Sequence, residues 1–279
     1  MSEIDHEHKR RSGAGAVTVN PWGELRRFTA ARIALGRAGV SMPTMPHLAF
    51  QLAHAQARDA VHVELDCAAL ARALTAALGL PCFTLHSAAP ERATYLRRPD
   101  LGRMLDAQSR LALAALKRPL ARYDIGFVIA DGLSALAVEH HALPLLRCWM
   151  AAPAACSLSV APLVLVRQGR VAVGDEVAQL LGAQLVVVMI GERPGLSSPD
   201  SMGLYLTWQP QVGMTDEQRN CISNVRLAGL DYEDAAHKLH YLVREARRRG
   251  LSGVALKDDS DDAAPARVGH ANFLLSTGV

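Results

Sequence analysis

The chain has 279 residues, half of them hydrophobic, a formal net charge of +3 and only 5% aromatic residues. That hydrophobic fraction is ample for a core, so no disulfide or metal staple is required. The small charge and sparse aromatics argue against a nucleic-acid surface, which needs a dense basic stripe with stacking platforms.

Residues 1–20 are polar and Gly/Ala-rich and read as a disordered tail with no apolar signal core. Its basic run is Lys9-Arg10-Arg11. Residues 21–118 read as a mainly helical N-terminal region. After Pro43-Thr44-Met45-Pro46 the spacing of Leu48, Leu52 and Ala55 predicts a helix over His47–Val61. A second helix, Ala68–Leu78, is stopped by Gly79 and Pro81. A strand is predicted over Cys82–Leu85, and a third helix over Leu101–Lys117 with Leu101, Leu105, Leu111 and Leu116 near one side.

The texture then changes, and residues 119–257 read as an α/β core. Tyr123–Ala130 is an apolar strand leading through Asp131-Gly132-Leu133-Ser134 into a helix over Ala135–Trp149. Ala161–Arg167 is the next strand, Asp175–Leu181 a short helix, Gln184–Ile190 another strand and Met202–Trp208 an alternating one. Asn220-Cys221-Ile222-Ser223-Asn224 is compact and polar and reads as an irregular loop. Tyr232–Arg248 is a long helix whose terminal arginines complement its dipole. Residues 258–279 form a second tail, in which Phe273-Leu274-Leu275 could dock.

Strands that are apolar throughout are typical of parallel sheets covered on both faces, and their alternation with helices predicts a doubly wound, mostly parallel, Rossmann-like α/β fold with an N-terminal helical extension. Ligands of such sheets bind beyond the carboxyl ends of the strands. Here those ends are Asp131-Gly132, Gln168-Gly169-Arg170 and Gly191-Glu192-Arg193-Pro194-Gly195, all polar and glycine-bearing. Capping by Ser134 or Asp131 explains the first turn without a ligand. Glu192 is open between accepting from a ligand and pairing with Arg193, Arg170 or Arg167.

The five cysteines are odd in number and lack CxxC spacing, which suits a reduced, intracellular protein. The apolar run Leu185–Ile190 falls far short of the ~20 residues that span a bilayer. Both features point to a cytoplasmic location. As a nucleophile, Cys221 would need a pKa-lowering neighbour that the sequence does not supply nearby. His140 and His141 are adjacent on a helix and do not form an i, i+4 ligand pair; His237 and His240 share a face but read as surface histidines. No P-loop, strand-linked GxGxxG or GxSxG elbow occurs. No metal site and no self-sufficient catalytic constellation is expected, which suits a binding module or a subunit that shares its site with a partner.

Eight collinear segments carry a resemblance. RFTAARIALGRAG, FQLAHAQARDAV, TYLRRPDLGRML, IADGLSALAV, LVLVRQGRVAVGDEV, VVMIGERPGLSSPDSMGLYLTW, RNCISNVR and GLSGVALKDDS closely resemble the small subunit of ethanolamine ammonia-lyase, in family order over roughly residues 20–260. The resemblance implies an enzyme that uses adenosylcobalamin to convert ethanolamine to acetaldehyde and ammonia by radical chemistry. It implies a large TIM-barrel subunit that holds the substrate, and a hetero-oligomer of large–small pairs, often associated with a bacterial microcompartment. The small subunit would help enclose the cobalamin at the interface, with no catalytic residue of its own. The family's cobalamin contacts fall here on Val171, Glu192 and Cys221; Arg170, Gly132 and Ser134 join them as neighbours in the same loops. The family's Thr-Pro is Thr29-Ala30 here, a change that softens a helix start, and the stretch beyond Ser260 is longer than the family's. The alternatives are a non-enzymatic corrinoid- or nucleotide-binding α/β module and a standalone hydrolase using Cys221.

Overall fold

The computed structural model describes residues 17–29, 31–116 and 122–260. The expectations for the first sixteen residues, for Ala30 and for the segment from 261 onward, including Phe273-Leu274-Leu275, lie outside these residues. The described residues divide into two compact units, one within residues 17–61 together with 194–199 and one from the rest.

In the first unit a 3-10 segment, Pro21–Arg27, is opened by the Asn20 side chain, which accepts from the Trp22 N–H at 2.9 Å. The helix α1, Thr44–His62, follows, three residues longer at its start than its periodicity predicts. Among the described residues its apolar stripe stays largely exposed, with Leu48 55% and Leu52 61% accessible. Periodicity marks an apolar face but not what packs on it. Arg32 donates to the Ser197 hydroxyl at 3.2 Å and the Leu196 carbonyl at 3.0 Å, tying the two stretches of this unit together.

The second unit is a six-stranded sheet between helical layers. In chain order its elements are α2 (Cys67–Leu78), β1 (Cys82–His86), α3 (Arg92–Arg97), α4 (Ala107–Ala114), β2 (Tyr123–Ala130), α5 (Ala135–Ala151), β3 (Leu163–Arg167), α6 (Val173–Leu181), β4 (Ala183–Gly191), β5 (Met202–Trp208), β6 (Arg219–Val225) and α7 (Tyr232–Arg249). The strand order is β1-β3-β2-β4-β5-β6. The first four in that order are parallel, and β5 and β6 join antiparallel. The sheet is α/β and mostly parallel, as expected, and carries an antiparallel edge that the strand pattern does not predict. The edge strand β1 comes from upstream of residue 119 and pairs with β3 from Cys82↔Leu163 to His86↔Arg167.

The central strands are buried on both faces, as their unbroken apolar runs predict. Ile125, Phe127 and Ile129 of β2 pack with α2, α5 and α7, while Val128 and Ala130 pack with α4 and α6. Phe127 meets Trp149 edge-to-face at 4.9 Å. Helix ends follow the sequence signals. Asp66, Ser134 and Asp231 cap α2, α5 and α7 through their side chains, and Gly79, Gly182 and Gly250 end α2, α6 and α7 in the left-handed region. Among the described residues no helix is long and apolar enough to cross a membrane.

Two expectations need correction. The predicted helix over Leu101–Lys117 is a 3-10 turn, Leu101–Arg103, an extended Met104, and then α4. Asp106 restarts the helix by accepting from the Ser109 N–H at 2.6 Å, and that cap competes with a continuous helix. The stretch around Cys221 is not a loop but β6, paired with β5 from Thr207↔Arg219 to Met202↔Val225. Its only apolar pair of inward anchors, Ile222 and Val225, is too weak a pattern to read as a strand.

Candidate functional site: a cleft at the carboxyl ends of the strands

The ends of β2, β3 and β4 converge on a cleft of about 420 Å³ lined by Tyr95, Gly132, Leu133, Arg170, Val171, Ile190, Gly191, Glu192, Arg193 and Tyr205. Four of the six sequence-derived candidates, Gly132, Arg170, Val171 and Glu192, are therefore brought together from three separate loops. A second cleft, about 550 Å³, shares Arg170 and Val171 and is otherwise bounded by Pro99, Arg103, Met104, Ala172 and the stretch Val212–Asp216.

The loops are locked to one another by backbone chemistry. Asp131, buried at the end of β2, accepts from the N–H groups of Gln168 at 3.0 Å and Gly169 at 3.2 Å, clamping the β3 loop. Burial pushes its carboxyl above the usual range, against those N–H groups and the Arg92 charge. Gly132 has φ +58°, and a side chain there would collide with the Gly191 carbonyl and Ile190. Only glycine lets the β2–α5 turn lie against the end of β4, where Leu133 N–H donates to the Gly191 carbonyl at 2.9 Å. Ser134 is fully buried, and its hydroxyl accepts from the Ala137 N–H at 3.2 Å as the α5 cap. Its carbonyl packs against Gly191, so the serine stands beneath the cleft wall and is not part of its lining.

Arg170 is held against an aromatic ring that periodicity does not reveal. The fully buried Tyr95 ring takes two guanidiniums, that of Arg92 at 4.8 Å and that of Arg170 at 4.2 Å from its centroid. The Tyr95 hydroxyl donates to the Gly169 carbonyl at 3.2 Å, and burial pushes its pKa up to about 12. Arg92 donates to the Gly132 carbonyl at 2.7 Å and to the Gln168 side chain at 3.3 Å. Arg170 donates through Nη2 to the Tyr95 carbonyl at 3.2 Å, while its Nε is buried without a hydrogen-bond partner. Arg92 and Tyr95 lie on α3, a six-residue helix too short for a periodic signal. Pro90-Glu91 just ahead of it is the one helix-start signal present.

Glu192 faces inward from the end of β4. Its carboxylate accepts from the Ser201 hydroxyl and from the Asn224 N–H at 3.2 Å. Two of the three arginines open as its partners are engaged elsewhere: Arg167 pairs with Glu64 at 3.3 Å, and Arg170 stacks on Tyr95. Arg193 lines the cleft beside Glu192 and makes no ion pair with it among the described residues. Gly203 lies opposite, and a Cβ there would come within 2.9 Å of Glu192 Oε1, so a larger residue would displace that carboxylate.

Cys221 stands across from Tyr205 in the β5–β6 ladder, on the cleft side of the sheet, but does not line the cleft itself. Although the residue is exposed, desolvation at its sulfur and the Glu192 charge push the thiol pKa up, opposed by a hydrogen bond with Tyr205. That direction opposes thiolate formation and the hydrolase reading. Burial likewise pushes the Tyr205 phenol up. The cleft thus offers the guanidinium groups of Arg170 and Arg193, one carboxylate, and apolar surface from Leu133, Val171, Ile190 and the Tyr205 ring. This set binds and orients; it has no nucleophile–base pair.

A family model described as ethanolamine ammonia-lyase light chain (EutC) matches residues 19–257 of the chain. The chain is 58% identical over 271 residues to the ethanolamine ammonia-lyase small subunit of Azotobacter vinelandii, covering 96% of this chain and 100% of that one. It is also 58% identical over 269 residues to the protein of the same name from Ralstonia nicotianae, covering 96% and 98%. With that from Pseudomonas fluorescens it shares 58% over 265 residues, covering 92% and 95%.

Proposed function

The chain belongs to the ethanolamine ammonia-lyase light-chain family, and on that premise we propose that it acts as the small subunit of an adenosylcobalamin-dependent ethanolamine ammonia-lyase, building one wall of the cofactor site against a large subunit. The observation that carries this reading is the cleft, where Gly132, Arg170, Val171 and Glu192 meet and a buried Arg170 Nε lacks a partner.

The donor set suits a corrinoid. The macrocycle's rim carries amide side chains between apolar edges. Glu192 is placed to accept from an amide N–H, and Arg170 to donate to an amide carbonyl. Val171, Leu133 and Ile190 are suited to the apolar rim, with Tyr205 and Cys221 beyond them. When bound, the cofactor supplies a cobalt–carbon bond that breaks homolytically to start radical chemistry; the protein supplies position and exclusion of water. A cleft of about 420 Å³ takes one edge of so large a ligand, so the rest of the site belongs to the large subunit. The mutual locking of the loops by Asp131, Gly132 and Tyr95 keeps this wall rigid before the cofactor arrives, which lowers the ordering cost of binding.

The test is reconstitution. Mixed with a large subunit from one of the relatives above, the chain should give cobalamin-dependent release of ammonia from ethanolamine, and neither protein should do so alone. A folded mixture without activity overturns the proposal. Tight cyanocobalamin binding by this chain alone, unchanged by the large subunit, would favour a free-standing corrinoid-binding module.

A further inference from the structure

Away from the cleft, the second unit gathers three ligand-type side chains. His141 on α5 is 3% exposed. Its Nδ1 is 2.8 Å from the Tyr232 hydroxyl of α7. Its Nε2 is buried with no hydrogen-bond partner, although an Asp200 carboxylate oxygen lies 3.4 Å away. Buried polar atoms are rarely left so, and each one calls for an explanation. The exposed His140 brings its ring edge-on to His141, with centroids 5.9 Å apart. One ligand atom from each of His140, His141 and Asp200 falls within 4.8 Å of the others. Adjacency speaks against a same-face pair on the helix, but a third residue from another segment, Asp200, brings one ligand atom of each within 4.8 Å.

We propose that His140, His141 and Asp200 form a structural site for a transition-metal ion that favours imidazole and carboxylate donors, zinc foremost. Bonds of ~2.0–2.2 Å at tetrahedral angles set two donor atoms roughly 3.4 Å apart. The His141–Asp200 separation matches that spacing, without the alignment of a direct hydrogen bond. The Tyr232 contact is the outer-shell partner that fixes the ring of a ligating histidine. The other Asp200 oxygen is held by Arg226 at 3.2 Å, which leaves Oδ2 for the ion. The guanidinium opposes a cation, so the site binds moderately and not with the affinity of a four-thiolate centre. His140 completes it by a rotation of its exposed side chain. Asp200 precedes Ser201, whose hydroxyl donates to Glu192. The ion would therefore brace α5 to the segment that steadies the acidic wall of the cleft.

This inference does not depend on the cobalamin reading. The full chain, treated with chelator and desalted, is titrated with Co²⁺ and followed by visible absorption. One equivalent should bind with the intense bands of a four-coordinate site, be displaced by Zn²⁺, and raise the unfolding temperature. His140→Ala, at an exposed position, should weaken this binding, as should Asp200→Asn. Tyr232→Phe should weaken it by about 10–100-fold, the usual effect of losing an outer-shell partner. His237→Ala should leave it unchanged. Equal melting temperatures in chelator would show that the variants fold. Wild-type binding no tighter than that of the His140→Ala/Asp200→Asn pair would overturn the site, as would tight binding that all of these variants keep.

Discussion

At the scale of single residues, the strongest commitments lie around the cleft and not in it. Arg219 at the start of β6 donates to both Asp175 oxygens at 2.7 Å, to the Thr207 hydroxyl at 3.0 Å and to the Met214 carbonyl at 3.0 Å. Both partners of this ion pair are only 1% exposed at the side chain. A buried charge left alone costs far more than the pair contributes, because its desolvation is no longer offset. Arg219→Met should therefore destabilise the fold by about 3–5 kcal/mol in urea unfolding, and Asp175→Leu added to it should recover most of the loss. Additive losses would show that the pair is not coupled. Gly132→Ala should cost at least about 1–3 kcal/mol from its positive φ alone. It should also weaken corrinoid binding by the reconstituted complex, because the displaced turn lines the cleft.

At the scale of elements, helix caps are where local sequence decides stability. Ser134→Ala removes the α5 cap, with an expected loss of about 0.5–2 kcal/mol. Ser134→Asp, which caps equally well in principle, should fare worse than wild type because the site is fully buried. Thermal melts of the two variants check the order. Strands β2 and β4 were legible from their unbroken apolar runs, and α2 and α7 from period and caps. The exceptions are elements whose identity is set from outside. β6 is a strand because β5 offers its edge, not because RNCISNV alternates strongly. The helix expected through Leu101–Lys117 is divided because Asp106 caps and Glu176 accepts from the Leu105 N–H at 2.8 Å.

At the scale of the whole molecule, pH acts through histidines held in the packed layers. His240, expected at the surface, stacks on Trp149 at 4.8 Å and lies 2.9 Å from its carbonyl. Desolvation lowers its pKa below the ordinary 6.5; the Trp149 carbonyl opposes the shift, and His237 adds to it. A depressed folded pKa means that the unfolded chain takes up the proton first. The stability contribution is present above about 6.5 and is lost as the pH falls below it. Urea midpoints should fall from pH 7.5 to 5.5, and His240→Phe should flatten that slope. An unchanged slope would rule His240 out as the source. The raised Asp131 carboxyl has the opposite sign, contributing most at low pH and losing that contribution as pH rises, so the difference between wild type and variant is the informative quantity.

The sequence by itself determined the α/β class, most element boundaries, the family, and the three loops in which Gly132, Arg170, Val171 and Glu192 stand. Those features follow from local causes: runs of apolar residues, capping chemistry, glycine at strand ends, and collinear motifs. Only the tertiary structure decided what the loops do to one another. Asp131 clamps the β3 loop, Tyr95 from a six-residue helix carries Arg170, and Ser134 withdraws into a cap. It alone brought Asp200 to His141 across 59 positions of chain. The reason is that such contacts depend on which strand lies beside which. That order is set by burial over the whole sheet, and no window of sequence contains it.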